Sequence, residues 1–491
     1  MNKITSTIKY SAVLHVTGWL LLLECVMLLI PIAVCLVYGE ADWNVFAIAS
    51  GSCLAPGLAL VLPYRHRSFS VTRRESYLLT GLCWVLFSAF GMLPLILSPT
   101  TQLGVADAFF ETMSGFTTTG ATVISDVDAC SHGILFWRAE IQWLGGLGII
   151  LFTLSLLPML NRSDGIWMFN TEVTGITHDK IHPRIGQTAK TLWQIYITLT
   201  VACVLLLWAG PVDFFDSLCL AMSSLSTGGF STHNAGLMYW DSWYVNTVLT
   251  IFMFLGGVNF ILIYYSVCGM WHRLLRNDVF RAYCMLLLGA YILTLVSMLA
   301  RGEVSGVRNA LVDPLCQLVS AFTSTGVSSM PYEQMGPAIL IVLVVLMAVG
   351  ACAGSTTGGL KVDRFMAIIK NMRNETVRVL YPNRMRPVSV NGVILSDPQV
   401  GKILAFTTYY ILLWALVTFV TCLYGVPAVD SFFSTLSCIA NNGLGYGVTG
   451  AGGSFGQLPV ISKWLMSFLM MAGRLELFTV IALFMPQFWR H

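Results

Sequence analysis

Apolar residues occur in long runs, separated by short polar segments, along nearly the whole chain. A helix of about 20 apolar residues crosses a hydrocarbon core about 30 Å thick. We therefore predict ten membrane spans, the eighth of them interrupted, near residues 11–38, 43–64, 76–98, 134–158, 190–210, 243–268, 281–300, 336–372, 402–425 and 462–485. This pattern predicts an all-α polytopic membrane protein.

One short stretch occurs four times in the chain. Its copies are DAFFETMSGFTTTGA at 107–121, DSLCLAMSSLSTGGF at 216–230, DPLCQLVSAFTSTGV at 313–327 and DSFFSTLSCIANNGL at 430–444. Each copy begins with Asp, carries Ser seven residues later and carries Gly thirteen residues after the Asp. The glycines are 109, 97 and 117 residues apart, a spacing that suits a unit of two membrane spans and a connection.

Each copy predicts a short helix that ends in an extended strand. The Asp is a suitable N-cap, and about ten helical residues cover roughly half of the hydrocarbon core. Non-helical backbone at that depth is tolerated only where protein buries it or where it lines a watery path. Four such strands around one axis would form a ring of carbonyl oxygens that replaces the water shell of a cation. The candidate ion-binding residues are Thr118, Thr119, Gly120, Thr227, Gly228, Gly229, Ser324, Thr325, Gly326, Asn441, Asn442 and Gly443.

The spans and the short helices combine into five units. Residues 1–75 form two leading helices, and residues 76–160 form the first helix–pore-helix–helix repeat. A cytoplasmic loop and the second repeat occupy 161–270, and the third repeat, with a broken last helix, occupies 271–372. A further cytoplasmic loop and the fourth repeat fill 373–491. We expect the four repeats to surround one pore with pseudo-fourfold symmetry.

Composition supports a membrane protein. Of the 491 residues, 56% are hydrophobic and 10% are charged, whereas a soluble domain carries about 25% charged residues. The net charge of +3 gives no indication of nucleic-acid binding, and the 13 cysteines form no C-x-x-C motif. The first apolar run is too long for the core of a cleaved signal peptide. We expect membrane lipid around the chain and no organic cofactor within it.

Lysine and arginine residues predict the orientation of the spans. If the N-terminus is cytoplasmic, 22 of the 27 basic residues fall on the cytoplasmic side. Both termini are then cytoplasmic, and the four short helices enter from the outer side. The four aspartates would face the outer mouth as helix caps, where acidic residues would also gather cations.

A glycine-rich interruption divides the last span of the third repeat. Residues 350–361 read GACAGSTTGGLK, and a broken helix at this depth must be buried or line a cavity. Directly beneath a ring of carbonyls, it would form a movable plug. A phosphate-binding loop is the alternative, but that motif requires Ser or Thr after its Lys, and here Val362 follows. The candidate gate residues in this loop are Gly350, Gly354, Ser355, Thr356, Thr357, Gly358, Gly359 and Lys361.

Two ionisable residues, Arg474 and Glu476, lie within the last apolar run, where such residues are functional candidates. Arg474 either stands in the pore below the ring as a further gate residue or pairs with a carboxylate and locks two helices. The sequence leaves both alternatives open. Arg138 and Glu140 lie nearer the outer end of their span, and we expect them to form a structural ion pair.

The remaining motifs indicate packing or solvated surface. His178 and His182 have the spacing of a metal pair but lie in a polar loop with no third ligand nearby. No G-x-S-x-G or H-E-x-x-H motif occurs and the scarce charges do not cluster, so we predict that the chain is not an enzyme. Close helix packing explains the small residues Gly145, Gly146, Gly148, Gly256 and Gly257.

Together these motifs resemble those of the Trk/Ktr/HKT superfamily of potassium transporters. The resemblance covers essentially the whole chain and is greatest to the bacterial Trk-type membrane subunit. It rests on TTTGAT at 117–122, STGGFSTH at 226–233, NNGLGYG at 441–447, the GSTTGGLK break and the GRLE span. The length and the two leading helices fit the Trk branch better than the shorter Ktr branch.

The resemblance implies more than the residues alone do. Family members are potassium-selective pores or transporters, usually dimeric in the inner membrane, with a peripheral cytoplasmic regulatory subunit that binds nucleotides. By resemblance, the gating loop is 350–361, the basic residue facing the pore is Arg474, and Gly120 accompanies potassium preference. The fourth strand departs from the family pattern at Ala440 and Asn442, which leaves its part in selectivity open. The filter glycines would be Gly120, Gly229, Gly326 and Gly443.

The leading hypothesis is potassium uptake through the four strands, with the loop as gate. The alternative is a secondary transporter that couples movement of a solute or cation to protons or sodium, as a symporter does, at a mid-membrane site. Such transporters commonly contain inverted repeats, whereas the four copies here share one orientation. The sequence does not determine whether proton or sodium movement is coupled.

Overall fold

The computed structural model describes residues 8–64, 72–148, 185–302, 306, 311–382, 387–450, 453–475 and 477–489. Regular structure is almost entirely α-helical there, as predicted. A short antiparallel hairpin, β1 (Ser389–Val390) and β2 (Val393–Ile394), is the one sheet in these ranges. All 13 cysteines are free thiols. His178, His182 and Glu476 lie outside the described residues.

Three α-helices of the described part of the chain precede the first repeat: α1 (Tyr10–Met27), α2 (Leu29–Tyr38) and α3 (Trp43–Val61). α1 packs along α3 at Gly18. A Cβ atom added to Gly18 would lie 2.8 Å from Leu60 Cβ and 3.0 Å from the carbonyl oxygen of Gly57. The small residue therefore sets the close approach of the two backbones.

The first and second repeats contain eight described helices. α6 and α9 are the short helices of the first two sequence copies, and α7 and α10 are the helices that follow them. In chain order they are α4 (Arg73–Gly91), α5 (Leu93–Leu97), α6 (Val105–Phe116), α7 (His132–Gly146), α8 (Ile185–Trp208), α9 (Phe214–Leu225), α10 (Trp243–Gly256) and α11 (Phe260–Val267).

The third and fourth repeats contain ten more described helices. α14 and α18 are the short helices here, and the four short helices have lengths of 10 to 13 residues. In chain order the ten are α12 (Trp271–Arg276), α13 (Asp278–Arg301), α14 (Asp313–Phe322), α15 (Pro337–Val349), α16 (Val362–Leu380), α17 (Asp397–Leu423), α18 (Ala428–Ala440), α19 (Val460–Arg474), α20 (Leu477–Phe484) and α21 (Pro486–Trp489).

Each short helix packs in an equivalent environment. It contacts the long helices before and after it in its own repeat and also the last helix of the preceding repeat. Thus α9 packs against α7 of the first repeat, α14 against α10 of the second, α18 against α15 of the third, and α6 against α19 of the fourth. The contact between α6 and α19 closes the circle, so the four repeats surround a common centre.

In the described residues, the last helices of the second and fourth repeats are broken as well as that of the third. α10 and α11 meet at 106°, and α19 and α20 meet at 120°, so the spans predicted over 243–268 and 462–485 each consist of two helices. Asn259 accounts for the first break. Its side chain accepts a hydrogen bond from Ile261 N at 2.8 Å, which caps α11, and donates to the Ala353 carbonyl oxygen of the third repeat at 2.9 Å.

Six helices in the described ranges are long and apolar enough to cross a membrane, or eight spans if each bent pair counts as one. Of the other predicted spans, 134–158 is described only as far as Gly148, and 336–372 consists of α15, the glycine-rich loop and α16. Within the apolar stretches of α13 and α17, only 28% and 22% of residues are buried by protein. The exposed apolar faces suit surrounding hydrocarbon, as in a multi-span membrane protein.

The repeated aspartates are not helix caps, so that expectation is wrong. α6 begins at Val105 after Gly104, and α18 begins at Ala428 after Pro427. In α9 the cap is Asp213, whose side chain accepts a hydrogen bond from Phe215 N at 3.2 Å. An acidic residue in the first turn still interacts favourably with the helix dipole. First-turn positions are occupied by Asp107, Asp216, Asp313 and Asp430.

We predict that Gly18→Leu destabilises the protein, because the added side chain meets the backbone of α3 and must separate two packed helices. Gly51→Leu is the matched control, since no heavy atom lies within 4 Å of a Cβ atom added at this helical glycine. Thermal unfolding of the detergent-solubilised proteins should show a melting temperature several degrees lower for Gly18→Leu only. Equal melting temperatures for the two variants would contradict this packing.

Candidate functional site

The four strands that follow the short helices share one backbone conformation. The N–H group of the residue before each Gly donates to the carbonyl oxygen of the repeated Ser at 2.8 to 2.9 Å. The residue two places before each Gly has a left-handed φ in all four copies: Thr118 (53°), Thr227 (56°), Ser324 (54°) and Asn441 (51°). The four glycines also have a left-handed φ: Gly120 (80°), Gly229 (82°), Gly326 (78°) and Gly443 (83°).

These four strands close into a ring. A Cβ atom added to any of the four glycines would overlap with a backbone carbonyl oxygen of the next strand in order, and the fourth strand meets the first in the same way. Only Gly combines a left-handed φ with such an approach. The overlapping pairs are Gly120 with Gly228, Gly229 with Thr325, Gly326 with Asn442, and Gly443 with Thr119.

One cavity, which we call the vestibule, opens directly above this ring. Its volume is about 880 Å³, including space continuous with the surroundings. The four glycines of the ring all line it, together with residues that follow them in the chain, among them Thr122, Ser231, Val327 and Gly445. The cavity thus leads to the ring from the side on which the strands end.

The four aspartates hold elements together around the vestibule but do not line it. Partial burial, and then the neighbouring Asp216 carboxylate, raise the pKa of the adjacent cap residue Asp213. The expectation that the aspartates gather cations at the mouth stays a prediction. Their contacts are Asp107 with Lys463 Nζ (2.5 Å), Asp216 with His233 Nε2 (3.1 Å), Asp313 with Asn246 Nδ2 (2.8 Å) and Asp430 with Val448 N (3.0 Å).

A buried ion pair braces the first two strands. Arg138 Nε lies 3.0 Å from Glu111 Oε1, and both side chains are almost completely buried. Glu111 also accepts a hydrogen bond from Val123 N at 2.7 Å, and Arg138 donates to the Ser231 carbonyl oxygen at 3.1 Å. The predicted pair of Arg138 with Glu140 is therefore wrong, because residues two apart point to different faces of a helix.

A glutamine of α7 is bonded to the second strand. Gln142 Nε2 donates to the Gly228 carbonyl oxygen at 2.7 Å, and Gln142 Oε1 accepts from Phe230 N at 3.1 Å and from Ser223 Oγ at 2.9 Å. The side chain of Gln142 is fully buried. One residue of the first repeat therefore joins the short helix and the strand of the second.

Glycines bring the last helices against the ends of the short helices. A Cβ atom added to Gly145 would overlap with the Phe116 carbonyl oxygen, and one added to Gly256 would lie 3.0 Å from that of Leu225. Both carbonyls belong to the final residue of a short helix. The packing interpretation of these glycines is confirmed.

The glycine-rich loop at 350–361 lies against the opposite side of the ring from the vestibule. Thr356 Oγ1 is 3.1 Å from Thr227 Oγ1 of the second strand. Gly358 N donates to Ser324 Oγ of the third strand at 2.7 Å. A Cβ atom added to Gly358 would overlap with the Ala440 carbonyl oxygen beside the fourth strand. The loop therefore contacts three of the four strands.

Lys361 closes this loop on itself. Its buried ammonium group donates to the carbonyl oxygen of Thr357 and lies 3.1 Å from Thr357 Oγ1. The backbone N–H of Lys361 donates to the Val349 carbonyl oxygen at 2.7 Å. These bonds join the two ends of the break, so the loop is a compact structure between α15 and α16.

Arg474 bridges three repeats at the level of the loop. Its guanidinium donates to the Thr356 carbonyl oxygen at 2.5 Å, and to those of Gly145 and Gly146 at 2.6 Å and 2.5 Å. The last two are at the C-terminus of α7, where the helix dipole is negative. The arginine of the fourth repeat therefore joins the loop of the third to a helix of the first.

Among the residues that contact the strands, the predictions from the sequence did not include Glu111, Gln317 and Gln142. A signal for two of them was present, because Glu111 and Gln317 occupy the same place in their copies, four residues after the Asp. Each accepts a backbone N–H twelve residues further on, at 2.7 Å from Val123 and at 3.0 Å from Ser329. A polar residue inside a short apolar helix therefore indicated a hydrogen bond to the segment that follows the helix.

These features define a multi-span helical membrane protein in which four short helices direct four strands to one ring. The TrkH family model, described as a cation transport protein, matches residues 43–490. The chain belongs to this family.

Individual relatives match over nearly the whole chain. The Trk system potassium uptake protein TrkH of Halomonas elongata is 35% identical over 97% of this chain and 99% of its own length. The protein of the same name from Escherichia coli K12 is 33% identical over 98% and 99%. The crystal structure of the potassium transporter TrkH from Vibrio parahaemolyticus superposes with a TM-score of 0.89 at 29% identity, covering 98% of this chain and all of that one.

We predict that Glu111→Gln destabilises the protein although Gln keeps an acceptor for Val123 N. The buried Arg138 charge loses its counter-charge, and breaking a buried pair in this way costs about 3–5 kcal/mol. Thermal unfolding in detergent should show a clear loss of stability, partly recovered in the double variant Glu111→Gln/Arg138→Met.

Glu375→Gln is the matched control for this prediction. Its partner Arg378 and Glu375 itself are both more than half exposed, and exposed pairs contribute only about 0–1 kcal/mol. A loss of stability as large in Glu375→Gln as in Glu111→Gln would show that burial of the pair is not the cause.

Proposed function

We propose that this chain is a potassium uptake protein and that the ring of four strands is its selectivity filter. The observation that carries the proposal is the closed cycle of four glycines, each held in the same conformation against a carbonyl of its neighbour. Four sequence copies that differ at most positions reach the same backbone geometry at these glycines. The names of the relatives, which describe potassium uptake, support the choice of ion.

A cation would reach the filter through the vestibule. It would exchange its water shell for backbone carbonyl oxygens of the residues around Gly120, Gly229, Gly326 and Gly443. Conduction requires an ion to be bound strongly enough to enter but weakly enough to leave, and uncharged backbone oxygens would suit this requirement. Inward movement would follow the membrane potential, which contributes about 2.3 kcal/mol per charge for each 100 mV.

The glycine-rich loop and Arg474 would form the gate. The loop lies against three strands on the far side from the vestibule, and Arg474 bonds Thr356 of the loop to the end of α7. In this position the loop and a positive charge both oppose the passage of a cation. Opening would require the loop to move away from the strands. Gly350 and Gly359, which both have a left-handed φ, lie at the two ends of the bend in this loop.

The surroundings of the pore follow from the resemblance and from the charge distribution. We propose a homodimer in a bacterial inner membrane with both termini cytoplasmic, which places the vestibule outside and the loop nearer the cytoplasm. A cytoplasmic nucleotide-binding regulatory subunit would act on the gate. The relatives are named as members of a Trk system, which supports a partner of this kind.

A secondary transporter with a mid-membrane site is the alternative. Such a site would use paired charges that face a substrate pocket. Arg138 does line the vestibule, but the buried pair Arg138–Glu111 is bonded to itself and to the backbone of the first two strands. The geometry therefore favours a pore, and coupling to protons or sodium is a separate question for flux measurements.

The test is uptake of rubidium, a potassium analogue, by cells that lack their own potassium systems. The wild-type chain should support uptake that excess potassium inhibits far more than excess sodium does. Gly120→Ser should weaken this discrimination at least several-fold, because Ser at a φ of 80° would overlap with the Gly228 carbonyl oxygen and displace it.

Gly425→Ser is the control for Gly120→Ser. Gly425 also has a left-handed φ, of 88°, but no heavy atom lies within 4 Å of an added Cβ atom. Absence of potassium-sensitive uptake by a well-expressed wild type would contradict the proposed function. Unchanged discrimination in Gly120→Ser would instead contradict the assignment of the filter.

We predict that Arg474→Met raises rubidium flux several-fold. The change removes hydrogen bonds that hold the loop and removes a positive charge from the path. Arg378→Met, which alters an exposed arginine of α16, should leave flux unchanged. Initial uptake rates, normalised to the amount of protein in the membrane, provide the measurement. A slower or unaltered rate in Arg474→Met would remove the arginine from the gate.

A further inference from the structure

The second strand lacks a side chain that the other three possess. At the position before the filter glycine, the strands carry Thr119, Gly228, Thr325 and Asn442. The backbone at Gly228 is not in the left-handed region, so its conformation does not require Gly. A Cβ atom added there would overlap with the side-chain amide of Gln142, whose carbonyl oxygen atom would lie 2.6 Å away and whose nitrogen 2.8 Å away.

Gln142 thus occupies the space of the missing side chain. It enters from α7, a helix of the first repeat, and it is fully buried. Both of its polar atoms are bonded to the second repeat, through the Gly228 carbonyl oxygen at 2.7 Å, Phe230 N at 3.1 Å and Ser223 Oγ at 2.9 Å. A residue that only filled space would not need an amide with every polar atom satisfied.

The neighbouring turn of α7 supports the same strand. Arg138, four residues before Gln142, lies on the same helix face. Its guanidinium carbon is 4.2 Å from the ring centre of Phe230, and it donates to the Ser231 carbonyl oxygen at 3.1 Å. One face of α7 therefore holds the second strand from Gly228 to Ser231, and Gln142 is the part of it that bonds a filter carbonyl.

We propose that Gln142 is a specificity-determining positioning residue of the filter, which orients the Gly228 carbonyl from the neighbouring repeat. This inference rests on the proposed function. That carbonyl oxygen lies against Gly120, so its direction sets both the spacing of the first two strands and the dipole offered to an ion. Discrimination between cations depends on the number and field strength of such dipoles. Loss of the amide would free the carbonyl and weaken the preference for the larger ion.

The experiment is a double-mutant cycle between positions 142 and 228, with rubidium uptake in competition with sodium as the readout. Gln142→Ala should lower discrimination about tenfold, equivalent to about 1.4 kcal/mol. Gly228→Thr should also lower it, because the new side chain overlaps with Gln142. In the double variant the threonine occupies the vacated space, as Thr119 and Thr325 do in their strands, and we expect most of the discrimination to return.

Two further variants complete the design. Trp143→Phe is the control on the same helix, because the Trp143 side chain points to α8 and bonds Thr200 Oγ1 at 3.0 Å, so discrimination should not change. Gln142→Met keeps the length of the side chain without its bonds and should show the same loss as Gln142→Ala. If Gln142→Ala does not accumulate in the membrane, Gln142→Met tests the role of the amide in its place.

The outcomes separate this inference from the proposed function. Wild-type discrimination in Gln142→Ala or Gln142→Met would overturn the role of Gln142 while leaving potassium uptake intact. A double variant no better than the worse single variant would overturn the idea that the amide replaces a side chain of the strand. A wild type that does not transport rubidium would instead contradict the proposed function itself.

Discussion

The structure depends on the contact between each glycine of the ring and a carbonyl oxygen of the next strand. The left-handed φ at the glycine turns the strand, and the absence of a side chain lets the neighbouring backbone approach. Because the contact recurs four times in a closed cycle, no strand can move sideways without moving another. The short helices and the last helix of each preceding repeat hold this cycle in place.

One backbone geometry is maintained here by four different sets of side chains. Glu111 and Gln317 bond the strands of the first and third repeats from within their own short helices, and Asp430 bonds Val448 in the fourth. The second strand depends on Gln142 of another repeat. Uniform hydrogen bonds between backbone groups set the shape, and the variable side chains adapt each strand to its surroundings.

The sequence predicted those parts that rest on periodicity and on backbone restrictions. Long apolar runs predicted helices, and the repeated Gly predicted four equivalent turns that the structure brings together. It did not predict the helix break at Asn259 or the partner of Arg138, because each depends on a distant segment of the chain: the third repeat for Asn259, and the short helix α6 of the same repeat for Arg138. Gln142 was missed for the same reason, since its function becomes visible only when α7 is placed beside Gly228. Contacts between segments that lie far apart in the chain cannot be read from the local pattern of the sequence.

The position of four strands on a single polypeptide has a consequence for mutation. In a pore assembled from identical subunits, one codon change alters every wall of the opening at once. Here each wall has its own codons, so a substitution such as one at Gly228 changes the residues of one wall and leaves those of the other three as they are. Under the proposed function, ion preference could therefore be adjusted in small steps, and the walls could diverge in task, one chiefly coordinating the ion and another contacting the gate.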